Sequence, residues 1–89
     1  HIAKNKIELS DKGLIDRILE EMKKEYAAEE INDIDGVKIS FESKRQWVHL
    51  RRSNTEPIIR TYSEAPTLAA AEALANEVIA IAKKVINNK

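Results

Sequence analysis

The apolar residues in the first third of the chain recur every three to four positions. That spacing predicts an amphipathic helix with one buried stripe, formed by Leu14, Ile15, Ile18, Leu19, Met22 and Tyr26. Ser10 or Asp11 is expected to cap this helix, because both side chains can accept hydrogen bonds from its free backbone N–H groups. The preceding residues, from Ile2 to Leu9, alternate too loosely to separate a strand from an extended arm.

The middle of the chain alternates apolar and polar residues with a period of two, which is typical of strands packed on one face only. The predicted strands are Ile31–Ile34, Val37–Glu42, Trp47–Arg51 and Ile58–Glu64. Asp35 and Gly36 favour a hairpin turn between the first two strands, because both residue types readily adopt positive φ angles. The last strand has a mixed pattern that does not define its buried face.

Helical spacing returns in the C-terminal part, where Thr67 is the expected cap. The apolar stripe of this second helix consists of Ala71, Leu74, Ala75, Val78, Ala82 and Val85. Together these elements predict an α+β fold, a two-layer sandwich in which two helices pack on one face of an antiparallel sheet of three to four strands. We assign residues 1–10 to a linker, extended strand or hinge, and residues 11–89 to one domain.

Composition narrows the possible functions. The 89 residues suit one small domain, and 15 Lys and Arg residues balance 15 Asp and Glu residues, which argues against a nucleic-acid-binding surface. The absence of cysteine excludes disulfides and thiolate metal sites, and it fits a cytoplasmic protein. No stretch is long and apolar enough to predict a membrane span. Because the chain begins with His1, we expect it to be a fragment or a processed product.

One segment, RRSNTEP from Arg51 to Pro57, has the composition of a phosphate-binding loop. Arginine supplies charge and a planar fork of donors. Ser53, Asn54 and Thr55 can donate from their side chains and expose backbone N–H groups in a tight turn. The same small polar residues are also common in ordinary turns, so the spacing alone leaves both interpretations open.

The segment from Arg51 to Ala65, RRSNTEPIIRTYSEA, resembles the signature of the last domain of the α-D-phosphohexomutases, the phosphoglucomutase and phosphomannomutase family. The family pattern is approximately Arg, any residue, Ser, Gly or Asn, Thr, Glu and Pro, followed by an apolar strand that ends in Glu. Upstream, DGVKISF and WVHLR resemble the two strands that precede the family's loop. The resemblance is strong from Asp35 onward and favours a C-terminal (fourth) domain of such an enzyme.

The resemblance implies that the complete protein is an enzyme that moves a phosphoryl group between C1 and C6 of a hexose through a bisphosphorylated intermediate. The phosphoserine and Mg²⁺ of that reaction are expected on other domains, so this fragment is not expected to be catalytic or to bind a metal. Its expected partners are hexose phosphate, hexose bisphosphate and the other domains of the same polypeptide, with no nucleic acid and no membrane. The identity of the hexose cannot be predicted from this domain.

Individual roles follow from matching the family pattern. Arg51, Ser53, Asn54 and Thr55 are expected to hold the phosphate that is not reacting, while Glu56 and Pro57 shape the loop. Arg52 either adds a contact or faces solvent, and solvent is the expected position because consecutive strand residues point to opposite faces. A hinge between about Ile2 and Ser10 is expected to let this domain close and reopen, by analogy with other domain-closure enzymes.

Two other function classes are compatible with the predicted elements, and the first of them shares their order. A double-stranded RNA-binding domain is disfavoured, because the start of the last helix, TLAAAEALANE, contains no Lys or Arg to contact phosphates. A stand-alone regulatory or oligomerisation module stays open, because a small sheet with an exposed edge can pair with another copy.

Overall fold

In a computed structural model, which describes residues 1–9, 11, 13–53 and 56–87, the chain forms an antiparallel sheet covered by two helices on one face. The order of the strands in the sheet is β1-β5-β4-β3-β2, and every neighbouring pair is antiparallel. The elements are β1 (Ile2–Glu8), α1 (Gly13–Glu25), β2 (Glu30–Asn32), β3 (Val37–Phe41), β4 (Gln46–Arg52), β5 (Ile58–Glu64) and α2 (Leu68–Asn87). The predicted α+β sandwich is therefore confirmed.

The sheet has five strands where the sequence predicted three to four. The additional strand, β1, pairs with β5 from Ile2 opposite Glu64 to Glu8 opposite Ile58. Its alternation is weak because only Ala3 and Ile7 are buried within it. Residues 2–8 are thus held by a ladder in this conformation, while the hinge predicted in this region stays a prediction.

The β2–β3 connection is longer than the predicted turn at Asp35 and Gly36. Strand β2 ends at Asn32 instead of continuing to Ile34, whose side chain is 90% exposed. The Ile34 N–H donates to Asn32 Oδ1 at 3.0 Å, a side-chain turn that bends the backbone before a longer strand can form. Gly36 does adopt a positive φ of 70°. A short 3₁₀ turn, Glu42–Lys44, then connects β3 to β4.

The core lies between the two helices and the sheet. Both predicted helical stripes point into it, and its fully buried side chains include Ile18, Met22, Ile39, Leu50 and Val78. The two helix starts are capped by side chains: the Gly13 N–H donates to Asp11 Oδ1 at 2.8 Å, and the Ala70 N–H donates to Thr67 Oγ1 at 3.1 Å. The alternative cap, Ser10, lies outside the described residues.

Strand β5 turns two polar residues toward the helices. Ile59, Thr61 and Ser63 alternate on the buried face, which explains the mixed sequence pattern. The Ser63 hydroxyl donates to the Ala71 carbonyl oxygen at 2.8 Å. This contact satisfies a buried hydroxyl and joins β5 to the first turn of α2.

Candidate phosphate-binding site

The RRSNTEP segment connects the end of β4 to the start of β5. Its two ends are closed by backbone contacts, since the Ser53 N–H donates to the Ile58 carbonyl at 3.2 Å and the Ile58 N–H donates to the Glu56 carbonyl at 2.8 Å. The Glu56 N–H also donates to Ser53 Oγ at 3.3 Å. The structure thus brings Ser53 and Glu56 together. Two predicted phosphate-binding residues, Asn54 and Thr55, lie outside the described residues.

Pro57 anchors the same segment to the edge strand. Its carbonyl oxygen accepts a hydrogen bond from the Leu9 N–H at 2.8 Å. Proline has no backbone N–H and a fixed φ, so it suits the entrance of a strand. The loop-shaping roles predicted for Glu56 and Pro57 stay predictions, while their contacts show how the loop returns to the sheet.

Arg51 and Arg52 lie on opposite faces of β4, as the alternation of the strand predicts. Arg51 is on the helix-free face, where Nη2 lies 3.0 Å from Asp35 Oδ2 and the side chain is 51% exposed. Arg52 is on the helix-covered face and pairs with Asp16 of α1. Arg52 was expected to face solvent, and it is about half exposed while making that ion pair.

The helix-free face places a second arginine beside the first. Arg60 on β5 is directly opposite Arg51 in the ladder, and both are exposed. Like charges in such a pair repel each other. Within the described part of the chain, Arg51 has a carboxylate partner and Arg60 has no ion pair. The positive charge near the end of β4 is therefore only partly compensated.

A surface cleft of about 430 Å³ is lined by the β2–β3 loop, residues 33–36, and by Arg51 and Arg52 at the end of β4. We call this loop, together with Arg51–Ser53 and Glu56–Pro57, the loop end of the domain. Lys23 of α1 closes the cleft and contacts Glu20 and Asp33, each at 3.1 Å. Its hydrogen bond to Glu20 and then that to Asp33 raise the pKa of Lys23 above the usual value.

Sequence reasoning assigned Asp35 only to a turn and missed its contact with Arg51. His49 makes a second contact with the same residue, because its Nε2–H donates to the Asp35 carbonyl oxygen at 2.6 Å. A carbonyl oxygen can only accept, so this contact fixes the proton on Nε2. His49 therefore supports the β2–β3 loop, and the structure gives it no acid–base partner among the described residues.

Neither a metal site nor a membrane span is present in the part of the chain that the structure describes. No group of three or more His, Asp or Glu side chains there is arranged to hold a metal ion. The expectation that Mg²⁺ is bound by other domains of the complete enzyme stays a prediction. No described helix is long and apolar enough to cross a bilayer.

Comparison with known proteins identifies the family of the domain. The sequence model that describes the phosphoglucomutase/phosphomannomutase C-terminal domain family matches residues 5–81 of this chain. The chain belongs to this family of domains.

Two curated relatives are similar to it. Phosphoglucosamine/phosphogalactosamine mutase of Sulfurisphaera tokodaii is 33% identical over 91 residues, an alignment that covers all of this chain and 19% of the relative. A probable phosphoglucosamine mutase of Methanocella arvoryzae is 39% identical over 64 residues, which cover 72% of this chain and 14% of the relative. The chain therefore spans less than a fifth of the length of either relative.

Proposed function

We propose that this domain holds the non-reacting phosphate of a sugar phosphate in a phosphohexomutase, through Arg51, Ser53, Asn54 and Thr55. The observation that carries the proposal is the position of Arg51. It lies on the helix-free face at the end of β4, half exposed, where the chain turns toward β5. A guanidinium in that position can meet a phosphate that approaches the loop from solvent.

The described contacts support a loop that presents donors. The Ser53 N–H donates to the Ile58 carbonyl oxygen and the Ile58 N–H to the Glu56 carbonyl oxygen, and these bonds close the base of the segment. Successive backbone N–H groups of a tight turn can form a concave site for an anion, and hydroxyl and amide side chains add donors. Arg51 supplies the charge, while Ser53, Asn54 and Thr55 complete the hydrogen bonding.

In this proposal, the domain orients the sugar for the reaction. A phosphate held far from the reacting bond fixes the sugar, and that binding energy raises the rate when it is used to position the reacting end. The phosphoserine and Mg²⁺ that would exchange the other phosphoryl group belong to the remaining domains in this proposal. Closure and reopening of this domain about a hinge near residues 2–10 would let the bisphosphorylated intermediate turn over.

The names of the relatives favour a hexosamine phosphate as the substrate. Both are called phosphoglucosamine mutases, one with phosphogalactosamine as an additional substrate. We propose glucosamine phosphate as the first ligand to test. The phosphate grip would be the same for glucose or mannose phosphates, since the proposed contacts involve only the phosphate. The cytoplasmic location stays a prediction from composition.

The test compares two neighbouring arginines of equal charge. Backbone amide shifts of the 89-residue chain are followed during titration with glucosamine 6-phosphate, for the wild type, Arg51→Ala and Arg52→Ala. We expect responses centred on residues 51–55 in the wild type, their loss in Arg51→Ala, and their retention in Arg52→Ala. Because the two variants lose the same charge, a difference between them depends on the position of the arginine.

Two results would contradict the assignment. Amide-shift responses centred away from residues 51–55 would show that the ligand binds at another site. Equal losses of the response in the two variants would show that binding depends on net charge and not on the position of the arginine. In the complete enzyme, Arg51→Ala should lower kcat/KM by about tenfold to a hundredfold, as expected when a charge-assisted phosphate contact of roughly 1.5–3 kcal/mol is removed. Normal kinetics there would refute the role of Arg51.

A further inference from the structure

The β2–β3 loop is fixed against β4 by contacts that do not involve the carboxylate of Asp35. His49 on β4 donates to the Asp35 carbonyl oxygen at 2.6 Å. The next residue of β4, Leu50, packs so closely on Gly36 that a Cβ there would lie 2.2 Å from the Leu50 carbonyl oxygen. The position of the Asp35 backbone therefore does not depend on the ion pair of its side chain.

From this fixed position the Asp35 carboxylate reaches the next residue of β4. Its Oδ2 lies 3.0 Å from Nη2 of Arg51, and the two side chains are 68% and 51% exposed. An ion pair so exposed contributes little to folding stability. It engages one nitrogen of a guanidinium that has five N–H donors, so the others remain available to a second anion.

We propose that Asp35 is a positioning residue, which holds the guanidinium of Arg51 in the orientation that binds phosphate. An arginine side chain has many rotamers, and ordering it only when the ligand binds lowers affinity. A carboxylate on a fixed loop orders it beforehand. This inference rests on the proposed function, because it assumes that Arg51 binds the phosphate.

The opposing effect is repulsion between the carboxylate and the phosphate, and the same loop provides a control for it. Asp33 carries the same charge two residues away, but its Oδ2 contacts Lys23 Nζ at 3.1 Å instead of an arginine of β4. Replacing Asp33 removes negative charge near the cleft without releasing Arg51. A comparison of Asp35→Ala with Asp33→Ala therefore separates orientation from charge.

The experiment measures two quantities in the 89-residue chain, with glucosamine 6-phosphate as the ligand. The first is the order of the Arg51 Nε–H group by NMR relaxation without ligand, and the second is affinity from amide shifts. We expect Asp35→Ala to disorder Arg51 and to weaken binding by about threefold to tenfold relative to Asp33→Ala. Asp35→Asn keeps a hydrogen-bond acceptor and should recover much of both losses.

The outcomes distinguish this inference from the proposed function. If Arg51→Ala binds like the wild type, the phosphate site itself is wrong. If Arg51→Ala loses binding while Asp35→Ala binds as tightly as Asp33→Ala, the positioning role is wrong. If Asp35→Ala binds more tightly than Asp33→Ala, Asp35 competes with the phosphate and the positioning role is wrong as well. An Arg51 Nε–H group that stays equally ordered without Asp35 would also overturn it.

Discussion

The helix-covered face of the sheet and the loop end of the domain are stabilised in different ways. On the covered face, side chains such as Ile18, Met22 and Ile39 are fully buried and contact one another in a single cluster. At the loop end, the contacts are ion pairs and hydrogen bonds between exposed groups, including those of Arg51 and Arg52. Stability should therefore depend on the covered face, and ligand binding on the loop end.

A pair of isoleucines gives the largest expected difference between the two regions. Ile39 on β3 is fully buried, whereas Ile34 in the β2–β3 loop is 90% exposed. We expect Ile39→Ala to lower the free energy of unfolding by about 2–5 kcal/mol, because it leaves a cavity in the core. Ile34→Ala should change it by less than about 0.5 kcal/mol.

Urea denaturation followed by circular dichroism measures both isoleucine variants. A small domain has a total stability of about 5–15 kcal/mol, so the Ile39 variant should unfold at a clearly lower urea concentration. Similar losses in the two variants would mean that the loop end is packed as tightly as the core.

A pair of glycines tests whether the loop end has any strongly constrained position. Gly36 combines a φ of 70° with close packing on the Leu50 carbonyl oxygen. Gly36→Ala should therefore cost about 1–3 kcal/mol through backbone strain and displacement of the loop. Gly13 begins α1, and a Cβ there would lie 3.3 Å from the flexible Asp11 side chain. Gly13→Ala should change stability by less than about 1 kcal/mol in either direction.

The glycine variants are measured by the same denaturation experiment, with amide spectra to locate the change. Gly36→Ala should shift the signals of His49 and Arg51, since both side chains contact Asp35. An unchanged stability of this variant would show that the loop relaxes without strain, which would also weaken the argument that Asp35 has a fixed position.

The sequence predicted what depends on local periodicity. Both helices follow from apolar spacing, and their caps at Asp11 and Thr67 follow from residues next to those stripes. The full extent of β1 could not be predicted in this way. Its ladder partners on β5 are distant in sequence, and only Ala3 and Ile7 mark its buried face.

The side chains of the candidate site show the same limit, because contacts between elements distant in sequence could not be predicted. Arg51 and Ser53 were identified because family resemblance and turn chemistry are contained in one short segment. Asp35 and Asp16, the carboxylates that contact Arg51 and Arg52, come from other elements. The sequence contained a signal for Asp35, its position before a glycine at a turn, but no pattern indicated that its side chain reaches across to β4. Such pairs depend on the tertiary arrangement that places a loop and helix α1 beside β4.

A pair of tyrosines gives the smallest expected effect and tests a polar contact on the covered face. The Tyr26 hydroxyl donates to Glu77 Oε1 at 2.7 Å and joins the end of α1 to α2. Tyr62, on the helix-free face, has no hydrogen bond from its hydroxyl within the described part of the chain. We expect Tyr26→Phe to cost about 1 kcal/mol near pH 7 and Tyr62→Phe less than about 0.5 kcal/mol.

The contribution of Tyr26 to the free energy of unfolding should decrease at high pH. Burial, and next the hydrogen bond to Glu77, raise the pKa of Tyr26 above its usual value. An unfolded tyrosine ionises near pH 10, so the contribution is complete below about pH 10 and is lost as the pH rises toward the folded pKa. The wild type should therefore lose its advantage over Tyr26→Phe above about pH 10. A gap that stays constant to about pH 11, measured by urea denaturation, would show that the phenol ionises equally easily in both states.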